Sequence, residues 1–339
     1  MNALAAALDP TTTGSRPLME VNGIGITFKN GVRAVSNVNL TVNAGETLGI
    51  VGESGCGKST TAKIMLRLLA PDEGRVFFDG EDISRLRGAK LKKLRRRLQV
   101  VPQNPQTSLN PRLSVGDSIA FNMRVHGYGA KQRAARIPEM LDRVGLDPSY
   151  AGRYPHQLSG GQLQRAAIAR ALATEPEVVV CDEAVSALDK SVQAQVLNLL
   201  AELQANLGLA YVFISHDLAV VEHISDRVAV MYLGRVVEEG PARELWDNPR
   251  HPYTATLLSS APGLGQRRIV LSGDLPNPAN PPSGCGFRSR CPVADERCAT
   301  EWPLLTVRTK QHHASCVHED PVTLLDIPGR APTGSEPAA

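Results

Sequence analysis

Along residues 18–261 the chain alternates short apolar runs of strand length with longer stretches of helical periodicity. The runs 47–51 (TLGIV), 178–181 (VVVC) and 210–214 (AYVFI) are almost wholly apolar, as expected of strands buried on both faces of a sheet. Val192, Val196, Leu199, Leu200, Leu203 and Leu207 recur on one face of a 3.6-residue repeat, which predicts a helix that Gly208 closes. Further helices are expected over 61–69 and from Gln162 to about Ala173. Strand and helix taking turns in this way predict an α/β domain on a mostly parallel sheet.

The rhythm stops near residue 261. Residues 262–339 hold eleven of the 24 prolines, which opposes long helices and predicts a loop-rich extension over 262–325. Residues 1–17, mixed in Thr, Gly, Ser and Pro, are expected to be a flexible leader, and 326–339 a flexible tail. No internal repeat or extended low-complexity segment is found.

With 42% hydrophobic and 21% charged residues among 339, the chain has the composition of a globular protein with a sizeable core. A net charge of +3 gives no argument for nucleic acid or an anionic membrane as partner. The run from Arg85 to Arg97 does place eight basic residues in thirteen positions, with Leu91, Leu94 and Leu98 at helical spacing. It is read as a solvated helix face. No apolar run nears the roughly 18 residues that cross a bilayer. Residues 1–8 are rich in Ala and Leu without a basic segment ahead of them, so a cytosolic location is expected. Six cysteines are too sparse for a disulfide scaffold.

Residues 52–59 read GESGCGKS, the pattern GxxxxGKS/T, between an expected strand and an expected helix. Such a loop (Gly52, Glu53, Ser54, Gly55, Cys56, Gly57, continuing to Thr60) turns backbone N–H groups and a helix N-terminus toward phosphate oxygens. Lys58 adds a cation near the β and γ phosphates, and the Ser59 hydroxyl suits Mg²⁺. The strand 178–181 delivers Asp182 and Glu183 at its C-terminal end, where ligands of open α/β sheets sit. Asp182 can hold Mg²⁺ through water, and Glu183 can polarise the water that attacks a γ-phosphate. Residues 158–162 (Leu158, Ser159, Gly160, Gly161, Gln162) read LSGGQ ahead of a helix, a second phosphate-binding end. One γ-phosphate has no use for two such ends in one chain, so this one is expected to serve a nucleotide held by another subunit.

In this order and spacing the motifs resemble those of the nucleotide-binding subunits of ABC transporters, over about 230 residues. That resemblance implies an ABC-type P-loop ATPase core (18–261) with a helical subdomain near 104–175, and ATP with Mg²⁺ as ligands. It also implies that Phe28 stacks on the base, that Gln103 in VVPQNP senses Mg²⁺ and the transmembrane partner, that Asp189 in SALD orders the dimer seam, and that His216 contacts the γ-phosphate. Ala184 departs from the family, many of whose members have proline after the glutamate. NPRHPYT at 248–254 and the segment beyond it resemble the C-terminal extension of ATPases from dipeptide and oligopeptide importers. The implied partners are a second ATPase subunit, identical or paralogous, two transmembrane permease subunits and an extracytoplasmic peptide-binding protein, with this chain peripheral on the cytoplasmic face of the membrane. A soluble ABC-type ATPase acting on nucleic acid or ribosomes is the rival reading; one cassette without sustained heptads speaks against it.

Cys285, Cys291, Cys298 and Cys316 cluster in the extension at separations of five, six and seventeen, unlike paired CxxC knuckles. The subfamily resemblance implies a 4Fe-4S cluster on these four thiolates. Zinc with help from His312, His313 or His318, and cysteines without a ligand, stay open as alternatives. Cys56 and Cys181 are read as small or buried residues without a chemical role.

Overall fold

A computed structural model describes residues 16–260, 269 and 276–322. The expected leader, but for its last two residues, and the expected tail lie outside them.

Eight strands form the main sheet in the order Thr306–Thr309, His312–Ala314, Arg235–Pro241, Arg227–Tyr232, Thr47–Val51, Ala210–Ile214, Val178–Asp182, Leu98–Val101. The five from Arg227–Tyr232 to Leu98–Val101 are parallel, and the rest are antiparallel. Along Val178–Asp182 the side chains alternate between two cores. Val178 and Val180 join Leu48, Ile50, Val212 and Ile214 on one face, and Val179 and Cys181 join Tyr211, Phe213, Val228 and Val230 on the other. Burial on both faces explains why these strands carry no polar alternation.

The first face is covered by the helix Lys58–Met65 and by an antiparallel sheet ordered Arg33–Val42, Met19–Thr27, Glu73–Phe78, Glu81–Asp82. The second is covered by the helix Lys190–Leu207, through Val196, Leu199, Leu200 and Leu203. Gly208 ends that helix with φ 65°, as its sequence predicts. Leu207, expected on the apolar face, is the last residue of the helix and 39% exposed. Helices Val115–Val125, Ala130–Arg143 and Gly160–Leu172 pack on one another through Ile119, Met123, Met140, Leu141 and Leu163.

One expected boundary changes. The helix after the phosphate loop runs from Lys58 to Met65, not over 61–69, because the backbone turns left-handed at Arg67 (φ 54°) and its guanidinium donates to the Ile83 and Leu69 carbonyls. Among the described residues, the extension after 261 adds two short strands to the main sheet. Strand His312–Ala314 pairs with Arg235–Pro241 and so covers an edge of the main sheet that would otherwise be open. Glu238, fully buried at that seam, accepts from the N–H groups of Arg250 (2.6 Å) and His251 (2.9 Å) and lies 2.6 Å from His312 Nε2. These partners offset the cost of burying its charge.

Candidate functional site

Register levels the strand ends. Ile50 and Asp182 both stand opposite Ile214, and Val101 stands opposite Cys181. The segments that follow, beginning at Gly52, Pro102, Glu183 and Ser215, therefore leave from one edge of the sheet, where open α/β folds place their ligands.

The loop 52–57 arches from the strand Thr47–Val51 into the helix Lys58–Met65. Gly52 sits at φ 146°, and a Cβ there would collide with the Met231 carbonyl, so no other residue fits at this turn. Lys58 Nζ lies within the arch, donating to the carbonyls of Gly52 (2.7 Å) and Glu53 (2.9 Å) and lying 3.8 Å from Cys56 Sγ. Cys56 is small and buried there, and burial pushes its thiol up. Burial also pushes Cys181, inside its strand, up to about 12; neither sulfur is poised for chemistry.

Ser59 Oγ donates to Asp182 Oδ1 at 3.0 Å across 123 residues of sequence, uniting two of the three expected Mg²⁺ groups. Gln103 Nε2 donates to Glu183 Oε2 at 2.5 Å. His216 Nδ1 lies 3.6 Å from the same oxygen. Glu183 itself is left-handed, φ 50°, an unfavourable conformation for a side-chain-bearing residue. It is held by its N–H to the Ile214 carbonyl (2.9 Å), while its own carbonyl accepts from Ser186 N (3.1 Å) and Oγ (3.0 Å). Ala184, where the family often has proline, is buried in the core beneath.

Ser159 caps the helix Gly160–Leu172 in a reciprocal box. Gln162 N donates to Ser159 Oγ (3.3 Å), and Ser159 N donates to Gln162 Oε1 (3.0 Å). Ser159 and Gly160 are exposed. A Cβ on Gly161 would come 2.5 Å from Val192 Cγ1, so this glycine permits the close crossing with helix Lys190–Leu207. Asp189 caps that second helix by accepting from Val192 N at 2.9 Å. Among the described residues, no hydrogen bond joins LSGGQ to the phosphate loop. Phe28, 40% exposed, lies just beyond the strand Met19–Thr27. Ser59, Gln103, Asp182, Glu183 and His216 thus converge on one edge, and Gly160 of LSGGQ lines a pocket with Gln103, Gln164 and Ala184.

Residues 35–186 match the family described as ABC transporter, and 237–298 match "Oligopeptide/dipeptide transporter, C-terminal region". Over 293 residues (84% of this chain, 89% of the relative) the sequence is 53% identical to the oligopeptide transport ATP-binding protein AppF of Bacillus subtilis. The chain belongs to the ABC transporter ATP-binding subunits. It is also 44% identical over 320 residues, 88% of this chain and 96% of the relative, to the oligopeptide transport ATP-binding protein OppF of Haemophilus influenzae. Among solved structures it resembles cbiO1 from Clostridium perfringens, part of the cbiONQ ABC transporter complex (TM-score 0.64, 30% identity, covering 69% of this chain and 92% of that one). It also resembles a dimeric ATP-binding cassette bound to ADP and Pi in a post-hydrolysis state (TM-score 0.60, 32% identity, 66% and 99%).

The structure brings two further residues to the phosphate loop whose contact with it the motifs do not announce. Tyr253 OH accepts from Glu53 N at 2.9 Å, and Arg290 pairs with the Glu53 carboxylate. They come from segments 200 and 237 residues away, and neither a tyrosine in the first turn of a helix nor an arginine in a loop carries a signal of its destination. The basic run 85–97 forms the helix Gly88–Arg97, whose lysines are exposed. Its last turn is not purely solvated: Arg95 donates to the Arg67 carbonyl, and Arg97 pairs with Glu177 and Asp79 over the Phe78 ring. No helix among the described residues is long and apolar enough to cross a membrane.

Proposed function

We propose that this ABC ATPase powers import of dipeptides or oligopeptides, hydrolysing ATP at an interface shared with a second ATPase subunit beneath two transmembrane subunits. The relatives' names and the matched C-terminal region support the cargo class. One observation carries the chemistry: the sheet edge brings Ser59 to Asp182 and Gln103 to Glu183 beside the loop that holds Lys58. In this reading Lys58 and the loop N–H groups neutralise the triphosphate, while Ser59, Asp182 and Gln103 hold Mg²⁺, directly or through water. Phe28 stacks on the adenine. Glu183 accepts a proton from water as its oxygen bonds to the γ-phosphorus and the bond to the β-γ bridging oxygen breaks, leaving ADP and phosphate. His216, beside Glu183 Oε2, contacts the γ-phosphate.

The exposed Ser159 cap faces a nucleotide held by the neighbour, and Asp189 lies at the seam. ATP then supplies contacts that exist only in the closed pair, which favours closure, and hydrolysis removes them. An extracytoplasmic binding protein delivers the peptide, and this chain sits on the cytoplasmic face. The test is reconstitution of the chain with its copurifying membrane subunits in vesicles. Peptide uptake should require hydrolysable ATP; ATPase activity that copurifying RNA stimulates and membrane subunits do not would favour the ribosome or nucleic-acid reading.

The extension also fits a 4Fe-4S cluster. Cys285, Cys291, Cys298 and Cys316 line one cavity together with Phe287 and Pro303. Burial, reinforced by the neighbouring cysteines, pushes the Cys285 thiol up to about 11 and that of Cys291 up to about 12. Backbone N–H groups of Phe287 and Arg288 at Cys285, of Val293 at Cys291, and of His318 and Val317 at Cys316 compensate a thiolate there. Desolvated thiols gathered without a disulfide are stabilised by binding a metal centre. A second reading, a mononuclear metal such as zinc, is favoured by Asp295, Cys298 and His318, whose ligand atoms lie within 4.8 Å of one another. His312 takes no part in either, being paired with Glu238. Iron and acid-labile sulfide in anaerobically purified protein support the cluster; stoichiometric zinc without iron replaces it.

A further inference from the structure

The loop between the first two clustered cysteines, 285–291, reads CGFRSRC. Its Arg290 reaches across to the phosphate loop. Nη1 donates to Glu53 Oε2 at 2.8 Å and Nη2 to Glu53 Oε1 at 2.9 Å, a two-pronged pair in which the arginine side chain is only 9% exposed. Such forked pairs fix orientation as well as distance. Glu53 is held at every polar group it has. Its N–H donates to Tyr253 OH (2.9 Å), its carbonyl accepts from Lys58 Nζ (2.9 Å), and its carboxylate is taken by Arg290.

The contact continues through aromatic packing. Phe287, 1% exposed, meets the Tyr232 ring edge-on at 5.4 Å and the Tyr253 ring at 5.3 Å, and those two rings lie 4.6 Å apart. Phe287 also lines the cysteine cavity. Within the loop, Arg288 N donates to the Cys285 carbonyl (3.1 Å) and Arg290 N to the Phe287 carbonyl (2.9 Å), so the stretch between the two cysteines is a compact pair of turns. The residue next to Cys291 in sequence, Arg290, is therefore the one that grips the loop that cradles phosphate.

We propose that Arg290 is a positioning residue for the phosphate loop, and that the cysteine cluster and the nucleotide site are energetically linked through the Arg290–Glu53 pair and the Phe287–Tyr253 contact. The cluster holds both ends of the 285–291 loop; the loop holds Glu53; Glu53 sets the arch into which the triphosphate must fit. Linkage is reciprocal: a centre that tightens nucleotide binding by some factor is itself held more tightly by bound nucleotide, by the same factor. The nucleotide half stands on the family's ATP site, and the metal half rests on the cluster reading above.

The test uses the full chain purified anaerobically, as wild type, Arg290→Ala, Arg290→Lys, Glu53→Gln and the double variant Arg290→Ala/Glu53→Gln. Affinity for a fluorescent ATP analogue with Mg²⁺ should fall about 10-fold in Arg290→Ala, within the usual range of coupling between sites. It should recover in part in Arg290→Lys, which keeps the charge and loses the fork. Glu53→Gln should match Arg290→Ala, with the double variant adding nothing further. KM for ATP should rise while kcat changes less than about twofold. Bound nucleotide should slow iron loss to a chelator in the wild type and lose that effect in Arg290→Ala. Unchanged affinity in both Arg290→Ala and Glu53→Gln, or nucleotide protection of iron that persists undiminished in Arg290→Ala, overturns the proposal. Should Arg290→Ala fail to fold, Glu53→Gln and Arg290→Lys carry the affinity test alone. Absence of bound metal refutes the cluster reading and with it the metal half of the linkage, while the affinity measurements still decide the role of Arg290.

Discussion

Glu183→Gln isolates the proton acceptor from everything else the residue does. The amide has the carboxylate's shape and tolerates the same left-handed backbone, which is fixed by main-chain bonds to Ile214 and Ser186 and not by the side chain. Its side-chain oxygen can still accept from Gln103 Nε2, now at 2.5 Å. Only the capacity to take a proton from water is removed. A positioned general base is worth about 10²- to 10⁴-fold, or about 2.7–5.4 kcal/mol at 1.36 kcal/mol per decade. Steady-state phosphate release should therefore fall by at least about 100-fold, while ATP affinity by titration stays within about twofold and thermal melting is unchanged. Because the closed dimer would then persist, light scattering in Mg²⁺ and ATP should report a dimer for the variant. A loss of turnover below about threefold, or a parallel loss of affinity, would refute the assignment; a variant that stays monomeric in ATP would refute the shared interface.

Other substitutions probe separate parts of the argument. Lys58→Ala should weaken nucleotide binding in the same titration, and an unchanged Kd would contradict the phosphate role of Lys58. Arg227→Ala would strip the shared partner from Glu46 and Glu239, whose side chains are 10% and 14% exposed; leaving such charges unpaired costs about 3–5 kcal/mol, readable as a lowered urea midpoint, and a loss under about 1 kcal/mol would show the pairs to be solvent-screened. With its thiol raised to about 12 by burial, Cys181 should resist iodoacetamide at pH 8 in the native chain and react on denaturation; native labelling would contradict its burial. Cys291→Ser should lower bound iron with little change in the unfolding of the main sheet, and full retention of iron would remove Cys291 from the cluster.

The elements whose physics is local are legible in the chain. Strands such as 178–181 and 210–214 announce themselves because burial on both faces leaves no polar alternation, and the helix ending at Gly208 because one stripe of Val and Leu must face the sheet. The phosphate loop was legible for the same reason: glycines, a lysine and a hydroxyl must be contiguous to wrap one triphosphate. Helix ends are less legible in the chain. The turn at Arg67 answers to the distant Ile83 carbonyl, and Leu207, at the helix's last residue, is left exposed. That the extension closes an edge of the main sheet follows from the folded chain, since pairing of His312–Ala314 with Arg235–Pro241 depends on backbone groups that all residues share. The folded chain alone decides, too, that Glu53 meets Arg290 and Tyr253. A salt bridge spanning 237 residues leaves no periodicity in the chain; it exists because folding brings two loops to one place, where their charges and rings complete each other.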